Sequence, residues 1–387
     1  MRIILLSVGI LLFLMLSEIA FSIALIIMIK EKYINVYLKK ILLILVLFEH
    51  LFFYYFNNIL HKDQLVDPIV FYKRSIHLYS LSDVIQTIYP GTMFMIFVTK
   101  IFTVFSQNFV LISLFFSLFS FIPYYFIINK YYEIVFKKKE VFLKITFLIF
   151  IFLPSIHIWM TSIYKETLIF PLMYLFLEKI NTLKEKNIVK WDTLLYVILL
   201  FFLRPYLVGI LIMGGLLVNY KYLNRKIIIV AFLSSVFFLV LFWYLFFPEM
   251  SIFNIRSKLL EINETSKSLG YSSIDLNTTN YFQRLIYMLF RPLFFDSNNR
   301  FQFFASFENL LLVGWLLIFL YQIVKKKVKI NYLLQNIYIV SSVFIWLFIG
   351  VYIYNYGLAS RMKVMIVPFF LLGIIDIFKN RISEKNY

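Results

Sequence analysis

Cysteine is absent from the 387-residue sequence, and charged residues make up only 15% of it. Without cysteine there are no disulfides, no thiolate metal sites and no cysteine nucleophile. Cysteine usage therefore does not indicate whether the protein resides in an oxidising or a reducing compartment. The low charge, together with 62% hydrophobic residues, is incompatible with a water-soluble globular domain, where about 45–50% apolar and about 25% charged residues are usual. The sequence therefore predicts a polytopic membrane protein with one domain over residues 1–387.

Motifs for nucleotide chemistry are also missing. The sequence contains no Walker loop, no Gly-x-Ser-x-Gly elbow and no Gly-x-Gly-x-x-Gly fingerprint. These absences exclude ATP-driven transport by this chain, an α/β-hydrolase and a Rossmann-type nucleotide-sugar enzyme. Basic residues outnumber acidic ones, 38 to 20, but they occur in short clusters between apolar runs. Because no amphipathic basic face results, we expect no nucleic-acid partner.

Apolar runs long enough to cross about 30 Å of hydrocarbon predict transmembrane helices. The clear runs cover residues 3–29, 41–60, 109–128, 145–163, 227–247, 303–324 and 332–352. Shorter or interrupted runs cover residues 92–106, 166–180, 192–203, 206–219 and 364–378. The distribution of charge has to decide which of the shorter runs cross the membrane.

Basic linkers set the predicted topology. Nearly all of the net charge of +18 falls in residues 30–40, 129–144, 178–190, 221–226, 325–329 and 379–387. By the positive-inside rule these linkers are cytoplasmic, which predicts about eleven transmembrane helices in an all-α protein with its N-terminus outside and its C-terminus inside. Residues 92–106 are then a juxtamembrane or re-entrant helix, and residues 3–29 are an uncleaved span rather than a signal peptide. Residues 61–89 and 248–302 are then outer loops.

Charged residues away from the basic linkers are the candidates for function, because charge near the bilayer is costly. In the first outer loop Asp63 and Asp67 are four residues apart, so both can lie on one helix face as a general base or a metal ligand. They can equally be ordinary residues of a solvated loop. Lys165 and Glu166 follow a span that contains Pro154, and they can bind phosphate and position an acceptor hydroxyl, or cap the turn.

Arginine residues recur at the predicted outer ends of spans, namely Arg204, Arg291, Arg300 and Arg361, and Lys363 follows the last of them. Guanidinium groups suit the phosphate oxygens of a lipid-linked pyrophosphate. A single arginine in such a position is more simply explained by snorkelling to lipid headgroups. Several of them on one face favour an anion site.

Some ionisable residues fall inside or near the apolar runs: Glu18, Glu49, His50, Glu308 and Asp376. They can serve as coupling groups of a transporter, with Glu49 and His50 as a proton relay, or they can pair with a neighbouring helix. The four histidines are scattered along the sequence, and none has the spacing of a metal ligand set.

Several segments share the layout of a known class of enzymes. An acidic outer loop is followed by Tyr-Pro-Gly-Thr at 89–92 and by Pro-Ser-x-x-x-Trp-x-x-Ser-x-x-Lys-Glu at 154–166. This order resembles bacterial C-type (GT-C) membrane glycosyltransferases over residues 60–180. Phe-Arg-Pro-Leu-Phe-Phe-Asp at 290–296, Ala-Ser-Phe-Glu-Asn at 305–309 and Asn-Tyr-Gly-Leu-Ala-Ser-Arg-Met-Lys at 355–363 resemble segments of polytopic proteins of capsule and O-antigen assembly.

The resemblance implies a GT-C-like fold and an enzyme of the bacterial cytoplasmic membrane. Its substrate is implied to be a polyprenyl-phosphate- or pyrophosphate-linked saccharide at the outer leaflet. One enzyme of this kind is a Wzy-type repeat-unit polymerase, which acts with other polysaccharide assembly proteins. The resemblance assigns the base, or a ligand of a divalent cation, to Asp63 or Asp67, although the usual tight acidic pair is replaced here by Asp-x-x-x-Asp.

The mechanism expected from these residues takes Asp67 as the preferred base. Glu166 and Lys165 position donor or acceptor, and Arg204, Arg291, Arg361 and Lys363 bind the departing phosphate. A lipid-linked oligosaccharide flippase is the alternative and predicts an internal repeat, which is not visible. A non-catalytic membrane scaffold is a third interpretation.

Overall fold

The computed structural model describes residues 36–60, 66–137, 140–186, 191–246, 260–261, 264, 273–297, 300–325, 328–351, 353 and 355–383. Within these ranges the chain is helical and has no strand, apart from an isolated bridge between Ser273 and Asn355. The prediction of an all-α membrane protein is therefore confirmed. The predicted span at 3–29, the candidate base Asp63 and the coupling candidate Glu18 lie outside the described residues.

The helices follow the apolar runs of the sequence. In chain order they are α1 (Val36–Tyr55), α2 (Val66–Ile76), α3 (Leu81–Gln86), α4 (Thr92–Phe105), α5 (Phe109–Lys137), α6 (Val141–Phe152), α7 (Pro154–Trp159), α8 (Lys165–Lys186), α9 (Trp191–Leu203), α10 (Pro205–Asn219), α11 (Arg225–Phe246), α12 (Tyr281–Phe290), α13 (Arg300–Lys325), α14 (Ile330–Leu334), α15 (Ile337–Ile349), α16 (Tyr356–Met362) and α17 (Val367–Ser383). A π-helical turn over Phe56–Leu60 extends α1.

Five segments are long and apolar enough to cross a membrane, judged by length and composition. They are Phe109–Phe136, Val141–Trp159, Arg225–Leu245, Ala305–Lys325 and Tyr356–Phe378. Each overlaps one of the apolar runs of the sequence. The apolar helices α4, α9, α10 and α15 are shorter, with 10–17 residues. The count of about eleven spans and the GT-C-like arrangement therefore stay predictions.

The short helix α4 lies where the sequence predicts a juxtamembrane or re-entrant helix. Its fourteen residues rise about 21 Å, which is less than the hydrocarbon thickness of about 30 Å. Its start is fixed by Gly91, whose φ of 97° favours glycine and whose N–H donates to the carbonyl oxygen of Phe202 at 2.7 Å. The Tyr-Pro-Gly-Thr motif thus ties α4 to the end of α9.

Two helix breaks place polar residues at one end of the bundle. Leu153 is extended between α6 and α7, and Arg204 is extended between α9 and α10. In each case a proline follows and occupies the first position of the next helix, where its missing N–H costs no hydrogen bond. Each break interrupts the helix for a single residue, and the second one leaves Arg204 between α9 and α10.

Two of the candidate spans lie in the interior of the bundle. Val141–Trp159 and Tyr356–Phe378 are mostly buried, and α17 packs against α6 and α15. Arg225–Leu245 has almost no buried residues and packs against α10. Such an exposed apolar face is what a lipid-facing helix presents.

Polar contacts gather at two separate ends of the bundle. Beside the basic linkers, Lys130 pairs with Glu178 at 2.7 Å, and Asn336 donates to Asp376 at 3.1 Å. The turns at Glu166, Arg204 and Arg361 meet at the other end, about 18 Å away along α8. This grouping agrees with the predicted topology, whereas the side of the membrane that each end faces stays a prediction.

A close helix contact gives a first testable prediction. A Cβ atom at Gly373 in α17 would lie 2.5 Å from Ile339 Cγ1 and 2.8 Å from Asn336 Oδ1, which caps α15. We expect Gly373→Ala to destabilise the protein by about 1–3 kcal/mol through overpacking. A Cβ at Gly314 meets nothing within 4 Å, so Gly314→Ala is the matched control and should be neutral or stabilising. Thermal unfolding in detergent measures both, and an equal response of the two variants would contradict the prediction.

Candidate functional site

A buried carboxylate is the centre of the polar end of the bundle. Glu166 is fully buried in the first turn of α8, where a negative charge favours the helix N-terminus. One carboxylate oxygen accepts a hydrogen bond from Arg204, and the other accepts one from Nε of Arg361 at 2.6 Å. Glu166 therefore bridges two guanidinium groups that come from α16 and from the turn before α10.

Arg361 also pairs with a second carboxylate. Its Nη1 donates to Asp67, which lies in the first turn of α2. The guanidinium also lies over the ring of Tyr164, 5.4 Å from the centroid. The two carboxylates differ in access, because the Asp67 side chain is 45% exposed and that of Glu166 is 0% exposed. Asp67 is thus the one that a substrate can reach.

Lys165 supplies a third cation. Its Nζ lies 3.4 Å from the hydroxyl oxygen of Thr92, the first residue of α4, and within electrostatic range of the two carboxylates and the two guanidinium groups. Burial lowers the pKa of Lys165 to about 8, and the two arginines act in the same direction. We call the set Asp67, Lys165, Glu166, Arg204 and Arg361 the charged cluster. Its three cations exceed its two carboxylates, so it favours an anionic ligand.

Neighbouring side chains fix the two arginines. Arg204 also donates to the hydroxyl of Tyr206 at 2.8 Å and lies 3.2 Å from the sulfur of Met362. Beside Arg361, the Ser360 hydroxyl accepts a hydrogen bond from the indole of Trp159 at 3.1 Å. The arginines are therefore held in position before any ligand binds, which is the condition for efficient charge stabilisation.

Two asparagines that the sequence analysis did not single out hold the loop that leads to the charged cluster. Asn57 donates to the carbonyl oxygen of Ile158 at 2.8 Å and to Thr161 at 2.9 Å. Asn58 accepts from the Ser162 hydroxyl at 2.7 Å. Both are buried in the π-helical turn that extends α1. The sequence did contain a signal for this role, namely two consecutive asparagines inside an apolar run. Buried amide groups need hydrogen-bond partners inside the protein.

Other predicted phosphate ligands lie elsewhere. Arg291 pairs with Asp296 at 3.1 Å and lies over the Tyr287 ring at 4.2 Å. Lys363 is buried and donates to Asn309. A local acid draws Arg291 away from the other arginines, and Lys363 points into the bundle because it follows the end of α16. The structure thus brings together five of the eight predicted site residues and separates these two, while Asp63 lies outside the described residues.

Among the described residues, the charged cluster leaves no room between Asp67 and Glu166 for the divalent cation that the resemblance allows. The guanidinium of Arg361 already occupies the place between Asp67 and Glu166 that a cation would take. In the described part of the chain, no group of three or more histidine, aspartate or glutamate side chains could hold a metal ion.

The interior also holds ionisable residues from the apolar runs. Glu308 accepts from the backbone N–H of Ser155 at 2.7 Å. Glu49 is buried, and within the described ranges its two oxygens have no hydrogen-bond partner. The histidines are less scattered than the sequence suggested, because His50 Nδ1 lies 3.0 Å from His157 Nδ1. Their separation of 107 residues hides this contact from sequence patterns.

Comparisons with known proteins assign no family. No protein-family model matches the chain, and neither the curated proteins nor the solved structures give a match.

Proposed function

We propose that the chain is a membrane glycosyltransferase that uses polyprenyl-phosphate- or pyrophosphate-linked saccharides at the outer leaflet. Repeat-unit polymerisation of a capsular polysaccharide or O-antigen, together with other assembly proteins of the bacterial membrane, is the form we favour. The observation that carries the proposal is the double bridge of Glu166 to Arg204 and Arg361, with Asp67 on the second arginine. It provides a preformed anion site beside an accessible carboxylate.

Binding of a phosphate changes the partners of Arg361. Its bond to the half-exposed Asp67 is the one that an incoming phosphate can replace, whereas the buried bond to Glu166 stays closed to solvent. Guanidinium groups bind phosphate and carboxylate with the same donors. We therefore expect the lipid-linked donor to release Asp67 as it binds, so that the carboxylate becomes a base only in the occupied site.

The transfer step then follows from these roles. Asp67 removes the proton of an acceptor sugar hydroxyl, whose oxygen bonds to the anomeric carbon of the donor, while the bond from that carbon to the phosphate oxygen breaks. The phosphate or pyrophosphate leaves with its negative charge stabilised by Arg204, Arg361 and Lys165. Glu166 acts as a positioning residue, because it is fully buried between the arginines. Arg291 and Lys363 take no part in this step.

A deletion strain tests the function as a whole. Its surface glycan and its extracted lipid-linked oligosaccharides are separated on gels, with and without the gene restored on a plasmid. Loss of long chains with single repeat units retained supports a polymerase. Loss of the complete repeat with a shortened lipid-linked precursor supports a transferase that acts earlier, and an unchanged glycan contradicts the proposal.

A lipid-linked oligosaccharide flippase is the second candidate, and the buried Glu49 favours it. Acidic residues inside a membrane bundle form the proton and ion pathways of many transporters. The same deletion strain separates the candidates. Accumulation of lipid-linked intermediates on the outer side favours the enzyme, whereas accumulation on the cytoplasmic side favours the flippase.

A further inference from the structure

Two histidines from distant parts of the chain meet in the interior. His50 lies in α1 and His157 in α7, both fully buried, and their Nδ1 atoms are 3.0 Å apart. This contact joins α1 to the short helix that precedes the charged cluster. Its length is that of a hydrogen bond, so a proton has to lie between the two nitrogens.

The other ring nitrogens determine how many protons the pair holds. His50 Nε2 lies 2.9 Å from the carbonyl oxygen of Ser117, and His157 Nε2 lies 2.9 Å from that of Ile151. Carbonyl oxygens only accept, so each Nε2 carries a hydrogen. A neutral imidazole has a single ring hydrogen, and two neutral rings would therefore turn two bare Nδ1 atoms toward each other. A third proton, shared between the Nδ1 atoms, satisfies every one of these contacts.

The other tautomer of His50 does not remove the need for this proton. Its Nε2 would then have to accept from the Ser120 hydroxyl, 3.3 Å away, and would face the Ser117 carbonyl without a hydrogen. The Ser120 hydroxyl has one hydrogen and already lies 2.8 Å from the Ser117 carbonyl oxygen and 2.7 Å from that of Met160. A neutral pair therefore leaves a buried polar contact unmade, which is costly in an apolar interior.

A buried carboxyl group in the same turn of α1 can supply the counter-charge. Glu49 precedes His50 in α1, is buried and has no hydrogen-bond partner among the described residues. The Tyr124 ring on α5 stacks on His157 at 5.0 Å between centroids, and Tyr124 also lies within electrostatic range of Glu49. On the far side of α7, Glu308 accepts from its N-terminus, and it lies within electrostatic range of Lys363. A buried imidazolium is tolerable only with such a counter-charge nearby.

We propose that His50 and His157 form a buried proton-binding site that holds one shared proton, with Glu49 as its counter-ion. The bound proton ties α7 to α1. Because α7 carries Trp159, which donates to Ser360 beside Arg361, release of the proton loosens the segment 153–164 that positions the charged cluster. The inference goes beyond glycosyl transfer and does not depend on it, because an enzyme and a transporter can both use such a site.

Nitrogen NMR of the whole protein in lipid bilayers tests the shared proton directly. The chain has four histidines, so ring-¹⁵N-labelled histidine gives a simple spectrum. We expect a scalar coupling between two Nδ1 atoms and a hydrogen on each corresponding Nε2. The coupling should vanish in His50→Gln and in His157→Gln and persist in the control His77→Gln, whose ring is exposed. If either ring lacks a hydrogen on Nε2 throughout pH 5–8, with or without the coupling, the pair is neutral and the proposal is overturned, even where a variant fails to fold.

Hydrogen exchange tests the link to the charged cluster. The backbone amides of residues 153–164 should exchange faster once the pH is high enough for the coupling to disappear. In His50→Gln these amides should exchange fast at every pH. All rates are corrected for the pH dependence of amide exchange in an unstructured peptide. If these amides exchange at the same corrected rate with and without the shared proton, the link to the charged cluster is wrong.

Discussion

Glu166→Gln is expected to lower the free energy of unfolding by about 3–5 kcal/mol, the range found when one partner of a buried ion pair is removed. The substitution keeps the size of the side chain but removes its charge. Arg204 and Arg361, whose side chains are 11% and 14% exposed, then face each other and Lys165 without the carboxylate between them. Asp67 alone cannot balance three cations. Thermal or denaturant-induced unfolding in detergent measures the loss.

A second substitution shows whether charge causes this loss. Arg204→Gln in the Glu166→Gln background removes one of the cations that the first change left unbalanced. We expect the double variant to be less destabilised than the sum of the two single variants, because residues in one salt-bridge network do not act additively. Additive losses would mean that the two side chains contribute through packing and not through their charges.

The same chemical change at an exposed position serves as control. Glu264 is exposed, so Glu264→Gln should alter the unfolding free energy by no more than about 0.5 kcal/mol. If Glu166→Gln is as mild as this control, Glu166 is not the centre of the charged cluster in solution.

The grouping of the charged cluster could be predicted because charge distribution fixes which end of each span a residue occupies. Once the basic linkers are placed on one side, Asp67, Glu166, Arg204 and Arg361 have to share the other. That reasoning places the four residues at the same end of the bundle but gives no distances between their side chains. It could not show that Arg361 bridges two carboxylates or that Glu166 is closed to solvent, since both depend on how helices from distant segments pack.

The other contacts that the sequence did not predict also depend on how the chain packs. Arg291 also falls on the predicted outer side, but a pairing with Asp296 five residues later competes with the common site. The contact of His50 with His157 depends on the crossing of α1 and α7, for which no periodic pattern exists. The helices themselves were predictable because long apolar runs in a membrane have to satisfy their backbone hydrogen bonds internally.

Asp67→Asn is expected to reduce the rate of chain extension by about 10²–10⁴-fold, the contribution usual for a general base. Asparagine still accepts a hydrogen bond from Arg361 but cannot take up a proton from the acceptor hydroxyl. The rate is measured with membranes that contain the variant, as conversion of lipid-linked repeat units into longer chains on gels. Expression and thermal unfolding of the variant should stay near those of the unaltered protein, because Asp67 is half-exposed.

The kinetic pattern separates a base from an anion ligand. Loss of the Asp67 charge weakens the hydrogen bond from Arg361 that the donor phosphate has to replace. Asp67→Asn should therefore lower kcat without raising KM for the lipid-linked donor, whereas Arg361→Gln should raise KM as well. Asp67→Glu should recover part of the rate, and Asp83→Asn, the same change at another partly exposed aspartate, should leave it unaltered. A general base usually contributes far more than tenfold to the rate. If Asp67→Asn keeps more than about a tenth of the rate, another group therefore accepts the proton. The accessible carboxylate would then serve only to hold Arg361 until the donor arrives.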